Sequence, residues 1–576
     1  MIWIVDAFAN TLRLLANLLA RLPGPRLDYV VVEISGSYPE RTPPPRRLIQ
    51  RLVQPPWQRP EESLEALRDR LNRIAGAPRV RGIVLRVRDL TAGLAALQGL
   101  RDAMADLRRR GKRVIAYLTD SDLPTYYLAT AADEIWMAAA GFWSVLGMRA
   151  ELTFFREAFD RVGILPEFER IAEFKTAADR FVRSGLSEHH REMLDAILDS
   201  WMHEFTGDVA SARRLDPAAV RAAVDRAPLT AEEARAAGLI DGLCYEDELP
   251  ARLGSPDRPA ALQPWAAARR RFARPFRWRA RSPVIGVVEL IGGIITGESR
   301  DSPIPIPLIG GKMAGSETVA RAFRAAERNP RIRAIVFHVD SGGGSALASD
   351  LILREVERIK GKKPVVAFMG NVAGSGGYYV SCGASKIIAQ PTTITGSIGV
   401  ITGKLTAQGL YGRLGLNREV VARGEAATLE SLFRPFTPSQ IDRVRHGIQE
   451  IYRVFVGKVA AGRGKTTGDV EAIARGRVWT GRQALERGLV DELGDFATAV
   501  RRARELAGIP AEAVVLTVTV RPPRAVAVPS ASRALAGAIG LASGAAMLAE
   551  AVDAWRAARE LLREPALLLM PDLGVF

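Results

Sequence analysis

The first half of this chain holds only two lysines, Lys112 and Lys175, although the whole sequence carries 80 basic residues. Histidine is scarce as well, with five in 576 residues. Cysteine is scarcer, limited to Cys244 and Cys382. Two cysteines exclude a disulfide framework and any metal site built from four thiolates. No metal-ligand spacing and no nucleotide motif occurs, so neither metal nor cofactor is expected. No run reaches the roughly 18–20 clean apolar residues of a membrane-spanning helix.

What is present is a globular composition, 48% apolar and 25% charged. The length calls for at least two domains. The net charge is +16 and is carried mostly by arginine, a balance that suits an anionic membrane surface. Nucleic acid and simply solvated faces are the other readings of that charge, and no nucleic-acid partner is expected. Residues 1–26, "MIWIVDAFANTLRLLANLLARLPGPR", are apolar but broken by Asp6 and Arg13. Val5, Phe8, Leu12, Leu15 and Leu19 recur at helical spacing, which predicts an amphipathic helix that associates with a membrane. The stretch shows no small-residue cleavage site, so it is not read as a removable signal peptide.

The chain repeats itself. "VVEISG" at 31–36 returns as "VVELIG" at 287–292, and "PRVRGIVLRV" at 78–87 as "PRIRAIVFHV" at 330–339. "YYLATAADEI" from Tyr126 returns as "YYVSCGASKI" from Tyr378, and "AGLIDGL" from Ala237 as "RGLVDEL" from Arg487. Four matches in order, at nearly constant offset, mark a duplicated domain. Each copy alternates β-branched runs with helical patterns, which predicts α/β units with mostly parallel strands. The expected division is 1–26 membrane-associating segment, 27–253 first repeat, 254–283 linker, 284–521 second repeat and 522–576 apolar C-terminal extension. The linker, with "ARRRFARPFRWRARSP", reads as an exposed basic connection.

The chemistry centres on "GNVAGSGGYYVS" at 370–381, where Ser375 stands among glycines. A serine nucleophile needs a base, most often histidine. Only His446 follows Ser375 in chain order, as the α/β-hydrolase order requires. It sits on a helical pattern about 160° from the apolar face of Ile441, Val444, Ile448, Ile451 and Phe455. "AGSGG" also departs from G-x-S-x-G, with Ala373 in the first place. The repeat offers another base. At the shared offset, Ser375 falls on Leu123, and Lys175 falls on Ala427. One copy has the serine and the other has the lysine, as though one active site were divided between them.

These residues resemble the signal peptide peptidase A family in its long, duplicated bacterial form, over about 30–510. The resemblance implies tandem ClpP/crotonase-like α/β domains with flanking helices, and a Ser–Lys dyad assembled from the two halves. The matching residues are Ser375 in "GSGGYY" and Lys175 in "EFKTAADRF". Ser397 in "TGSIGV" matches the serine that holds the lysine amine. "DSGGG" at 340–344 matches the oxyanion motif, with Gly342 in place of its proline; Gly343 and Gly376 are the expected oxyanion donors. The resemblance further implies a homotetramer at the bacterial inner membrane that degrades cleaved signal peptides and other apolar peptides.

Lysine acts as a base only when neutral, and burial lowers its pKa from near 10.4. Bringing it to about 7 costs roughly 4–5 kcal/mol. Arginine, effectively always charged, cannot substitute. Two other readings share the fold or the duplication: an acyl-CoA hydratase or thioesterase, which needs the glycines but no Ser–Lys pair, and a non-enzymatic membrane scaffold.

Overall fold

The computed structural model describes residues 2–21, 25–42, 62–274, 276, 282–306, 310–522, 566–570 and 573. They form two compact units. One comprises Met1–Met148 and Trp201–Ser282, the other Arg149–Ser200 and Pro283–Phe576. The split does not follow the repeat boundary, because 149–200, from the first copy, belongs to the unit built on the second.

The first unit is organised on a six-stranded sheet, all of whose pairings are parallel. Its strands follow the order Gly242–Leu243, Glu134–Met137, Arg113–Leu118, Gly82–Leu90, Tyr29–Gly36 and Leu262–Pro264. Ile83, Val84, Leu85 and Val87 are all buried, as expected of a central parallel strand covered on both faces. The helix Leu94–Arg109 buries Leu97, Leu100, Met104 and Leu107 on one stripe. The stretch expected as an exposed linker is partly structural. Leu262–Pro264 adds an edge strand beside Tyr29–Gly36, and Phe272 is buried against Trp265.

The second unit repeats the scheme. Its eight-stranded sheet carries Val284–Ile291, Ile332–Ser341, Val365–Gly374 and Lys386–Ala389 in parallel register. The duplication extends to single contacts. Tyr126 donates its hydroxyl to the Leu239 carbonyl at 2.8 Å, and Tyr378 to the Leu489 carbonyl at 2.9 Å. Arg213 pairs with Asp241 and Arg463 with Asp491, each at 2.8 Å. Among the described residues this unit also carries a second, mixed sheet of seven strands, and the candidate site lies beside it.

The opening helix forms, as Ile2–Arg21. Phe8, Leu12 and Leu15 of the expected face are exposed, with Leu14 and Leu18; the side chains of Val5 and Leu19 lie outside the described residues. Among the described residues no helix is long and apolar enough to cross a membrane. Most of the C-terminal extension lies outside the described residues.

Candidate active site

Ser375 sits where the strand Val365–Gly374 turns into the helix Gly376–Ser381. Its backbone has φ 52° and ψ −110°, a region that residues with a Cβ rarely enter and that costs about 1–3 kcal/mol. The surroundings hold it there. Its N–H donates to the Gly396 carbonyl at 2.7 Å, and its carbonyl accepts from the Tyr379 N–H at 2.8 Å. Ser375 therefore stands at a sharp strand-to-helix elbow.

Lys175 arrives from the other copy. The strand Leu165–Arg170 pairs antiparallel with Ile401–Thr406, from Leu165 opposite Thr406 to Arg170 opposite Ile401. Beyond that ladder the chain turns inward. The Phe174 N–H donates to the Arg475 carbonyl at 3.2 Å. Gly476, at φ +81°, lies so close that a Cβ there would be 2.5 Å from the Lys175 nitrogen. The Arg170 guanidinium braces the turn from below, reaching the Lys175 carbonyl at 3.3 Å and the Asp179 carboxylate at 2.6 Å. Ser187 donates to the other Asp179 oxygen at 2.8 Å.

The result is a contact between residues 200 positions apart. Lys175 Nζ lies 2.7 Å from Ser375 Oγ, 2.8 Å from the Ser397 carbonyl and 3.0 Å from Ser397 Oγ. All three residues are fully buried. Burial drives the Lys175 amine well below the ordinary lysine range, since a charge without water is costly. A neutral amine has two N–H groups and a lone pair. In that form the N–H groups would go to the Ser397 carbonyl and hydroxyl, and the lone pair would be free to accept the Ser375 O–H across the 2.7 Å contact.

Gly343 and Gly376 are also brought together: a Cβ on Gly343, at φ +106°, would lie 2.8 Å from the Gly376 nitrogen. Gly376 opens its helix, where N–H groups have no intrahelical acceptor. The Gly343 N–H is engaged, donating to Ser341 Oγ at 3.1 Å, and Ser341 in turn donates to the Gly292 carbonyl at 2.6 Å. His446 is exposed and takes no part. Among the described residues no cluster of His, Cys, Asp and Glu has metal-binding geometry.

Sequence reasoning passed over the residues that hold these groups in place. The half-buried Asp340 carboxylate accepts the Val372 N–H at 3.1 Å, tying the 340–344 loop to the strand that ends in the elbow. Asp340 stood in a motif already singled out. Arg170 and Asp179 flank Lys175 but show no signal until the strand register is known.

The Peptidase family S49 model matches twice, at residues 106–256 and 357–510. The chain belongs to peptidase family S49. As an S49 member it is a serine peptidase, which sets aside the hydratase and scaffold readings. It is 31% identical over 457 residues to the chloroplastic serine protease SPPA of Arabidopsis thaliana, covering 78% of this chain and 66% of that protein. It is 31% identical over 444 residues to Protease 4 of Haemophilus influenzae, covering 74% and 70%. A shorter match, 32% identical over 225 residues, is to a putative signal peptide peptidase SppA of Enterococcus faecium, covering 38% and 62%. Among solved structures it is similar to the 1510-N membrane-bound stomatin-specific protease, at 15% identity and a TM-score of 0.26, over 41% of this chain and 98% of that one. The strand order rather than that likeness defines the S49 fold here: a duplicated, mostly parallel α/β architecture.

Proposed function

We propose that Ser375 is the nucleophile and Lys175 the general base of this peptidase, acting on apolar peptides such as cleaved signal peptides at a membrane surface. One observation carries the reading: a buried amine, shifted by desolvation well below the ordinary lysine range, 2.7 Å from the hydroxyl of a serine on a strained backbone. Lys175 takes the Ser375 proton as Oγ attacks the peptide carbonyl. The N–H groups of Gly376 and Gly343 receive the oxyanion, each worth about 3 kcal/mol; Gly343 exchanges Ser341 Oγ for it. Lys175 then protonates the leaving amine, and water released from its proton by the same base hydrolyses the acyl-enzyme. Ser397 keeps the amine aimed throughout.

The Enterococcus relative's name supports signal peptides as substrates. The exposed Phe8, Leu12, Leu15 and Leu18 support a helix lying on lipid, and the family resemblance supports the inner membrane and a homotetramer. The test is hydrolysis of a synthetic signal peptide by the purified protein. Ser375→Ala and Lys175→Ala should each reduce kcat at least 10³-fold, a loss typical of removing a nucleophile or its base. Lys175→Arg should not restore it. Retained turnover in either alanine variant refutes the dyad.

A further inference from the structure

A helix resting on its own protein turns its apolar stripe inward. The opening helix, Ile2–Arg21, does the reverse. Asp6, Asn10, Arg13 and Asn17 recur at the spacing that repeats along one side of a helix, and that side meets the protein. Asp6 and Asn10 are buried, and Arg13 and Asn17 are half-buried. Arg13 donates to Asn10 Oδ1 at 2.8 Å. The Asn17 amide is clamped to the Arg274 backbone, donating to its carbonyl at 3.0 Å and accepting its N–H at 2.7 Å. Phe8, Leu12, Leu15 and Leu18 lie on the opposite side, and each is more than half exposed. With its polar side spent on the protein, the helix leaves its apolar side for something outside the chain.

The element that holds this helix is the connection between the repeats. Its turn Arg269–Arg271 meets the helix. Phe272 anchors the turn in the core beside Trp265. Arg73 fastens its backbone, donating to the Arg269 and Phe272 carbonyls at 2.7 and 3.2 Å. Arg269, Arg270 and Arg274 stay exposed on this fixed backbone. Elsewhere surface arginines face carboxylates, as Arg445 faces Glu169 and Arg502 faces Glu492. Among the described residues no carboxylate pairs with Arg269, Arg270 or Arg274. Burial lowers the Arg73 guanidinium from its ordinary value, and Arg274 and Arg269 lower it further against the pull of Asp69. An unneutralised cation cluster thus borders an exposed apolar stripe.

We propose that Arg269, Arg270 and Arg274 bind the phosphates of anionic phospholipids while Phe8, Leu12, Leu15 and Leu18 enter the acyl boundary beside them. The inference rests on the opening helix lying on lipid. It deepens that reading by naming the lipid class and the residues that select it. Guanidinium suits the task, because it is weakly hydrated and grips phosphate with two parallel N–H groups. An RNA strand would satisfy the arginines and leave the leucines in water.

The test is sedimentation of the full chain with vesicles of pure phosphatidylcholine, and of phosphatidylcholine mixed with phosphatidylglycerol. The triple variant Arg269→Gln, Arg270→Gln, Arg274→Gln should bind the anionic vesicles roughly a hundredfold more weakly, at about fivefold per arginine. It should bind the neutral vesicles as the parent does. Added salt should narrow the gap between parent and triple variant. The double variant Phe8→Glu, Leu12→Glu should weaken binding to both vesicles. Circular dichroism and unchanged hydrolysis of a soluble peptide establish that the variants fold. A triple variant that binds anionic vesicles as tightly as the parent overturns the proposal and leaves the helix reading standing. So does a triple variant that loses a single-stranded RNA but keeps the vesicles, because the patch is then a nucleic-acid site. If the double variant lowers the mass of the lipid-free assembly, a second copy covers the apolar side and the proposal fails. A parent that sediments with neither vesicle refutes the helix reading itself.

Discussion

At the scale of the residue, the site turns on the protonation of one amine. Lys175 is depressed by burial, so the folded chain sheds its proton at a pH where the unfolded chain still holds it. Between the folded pKa and the ordinary lysine value, the unfolded state binds more protons, and stability rises with pH. A Lys175→Met variant removes that dependence. It should be more stable than the parent, and its advantage should shrink by roughly 1.4 kcal/mol per pH unit across that window as pH rises; denaturant titrations at several pH values measure it. Activity should rise with pH along one limb as Lys175 deprotonates. Ser397→Ala removes an acceptor that favours the ammonium form, so that limb should move to lower pH. Its kcat should fall about tenfold as the amine loses its aim, read from a pH–rate profile.

At the scale of the element, two strands and an elbow assemble the site. The ladder between Leu165–Arg170 and Ile401–Thr406 sets the reach of the lysine arm, because a slip of one residue would turn every side chain to the other face. The Arg170–Asp179–Ser187 chain of hydrogen bonds then fixes the turn. In the proposed mechanism Asp179 is a positioning residue, bonded to Arg170 and Ser187. Asp179→Asn keeps the shape but loses the charge facing Arg170. It should lower kcat about tenfold with KM unchanged, since charge-assisted bonds of this kind are worth about 1.5–3 kcal/mol. An equal loss in KM alone would assign Asp179 to substrate binding instead.

At the scale of the whole molecule, both members of the proposed dyad come from one chain and one compact unit. Mixing Lys175→Ala protein with Ser375→Ala protein should therefore restore no activity; recovery toward a quarter of the parent rate would show that the lysine is supplied in trans. The opening helix exposes Phe8 and Leu12 on a chain of net charge +16. Replacing both with Glu should weaken sedimentation with anionic vesicles several-fold while leaving hydrolysis of a soluble peptide unchanged.

Local pattern and internal comparison carried much of this. Parallel α/β domains were legible because β-branched runs alternate with helical stripes, and a duplicated sequence lays down duplicated contacts such as Tyr126–Leu239 and Tyr378–Leu489. Ser375 and Lys175 stood out because each copy lacked what the other had. Three things needed the tertiary structure: the register that lands Nζ on Oγ, the Ser341 hydroxyl engaged with Gly343, and the pairing of Leu567–Leu569 with Gly343–Ser345. The first and third depend on backbone groups meeting across more than 200 residues, and such pairing leaves little mark on residue identity; the second depends on how the chain turns between Ser341 and Gly343. The same physics moved residues 149–200 out of their own repeat, because a strand pairs with whichever edge the folded chain presents to it.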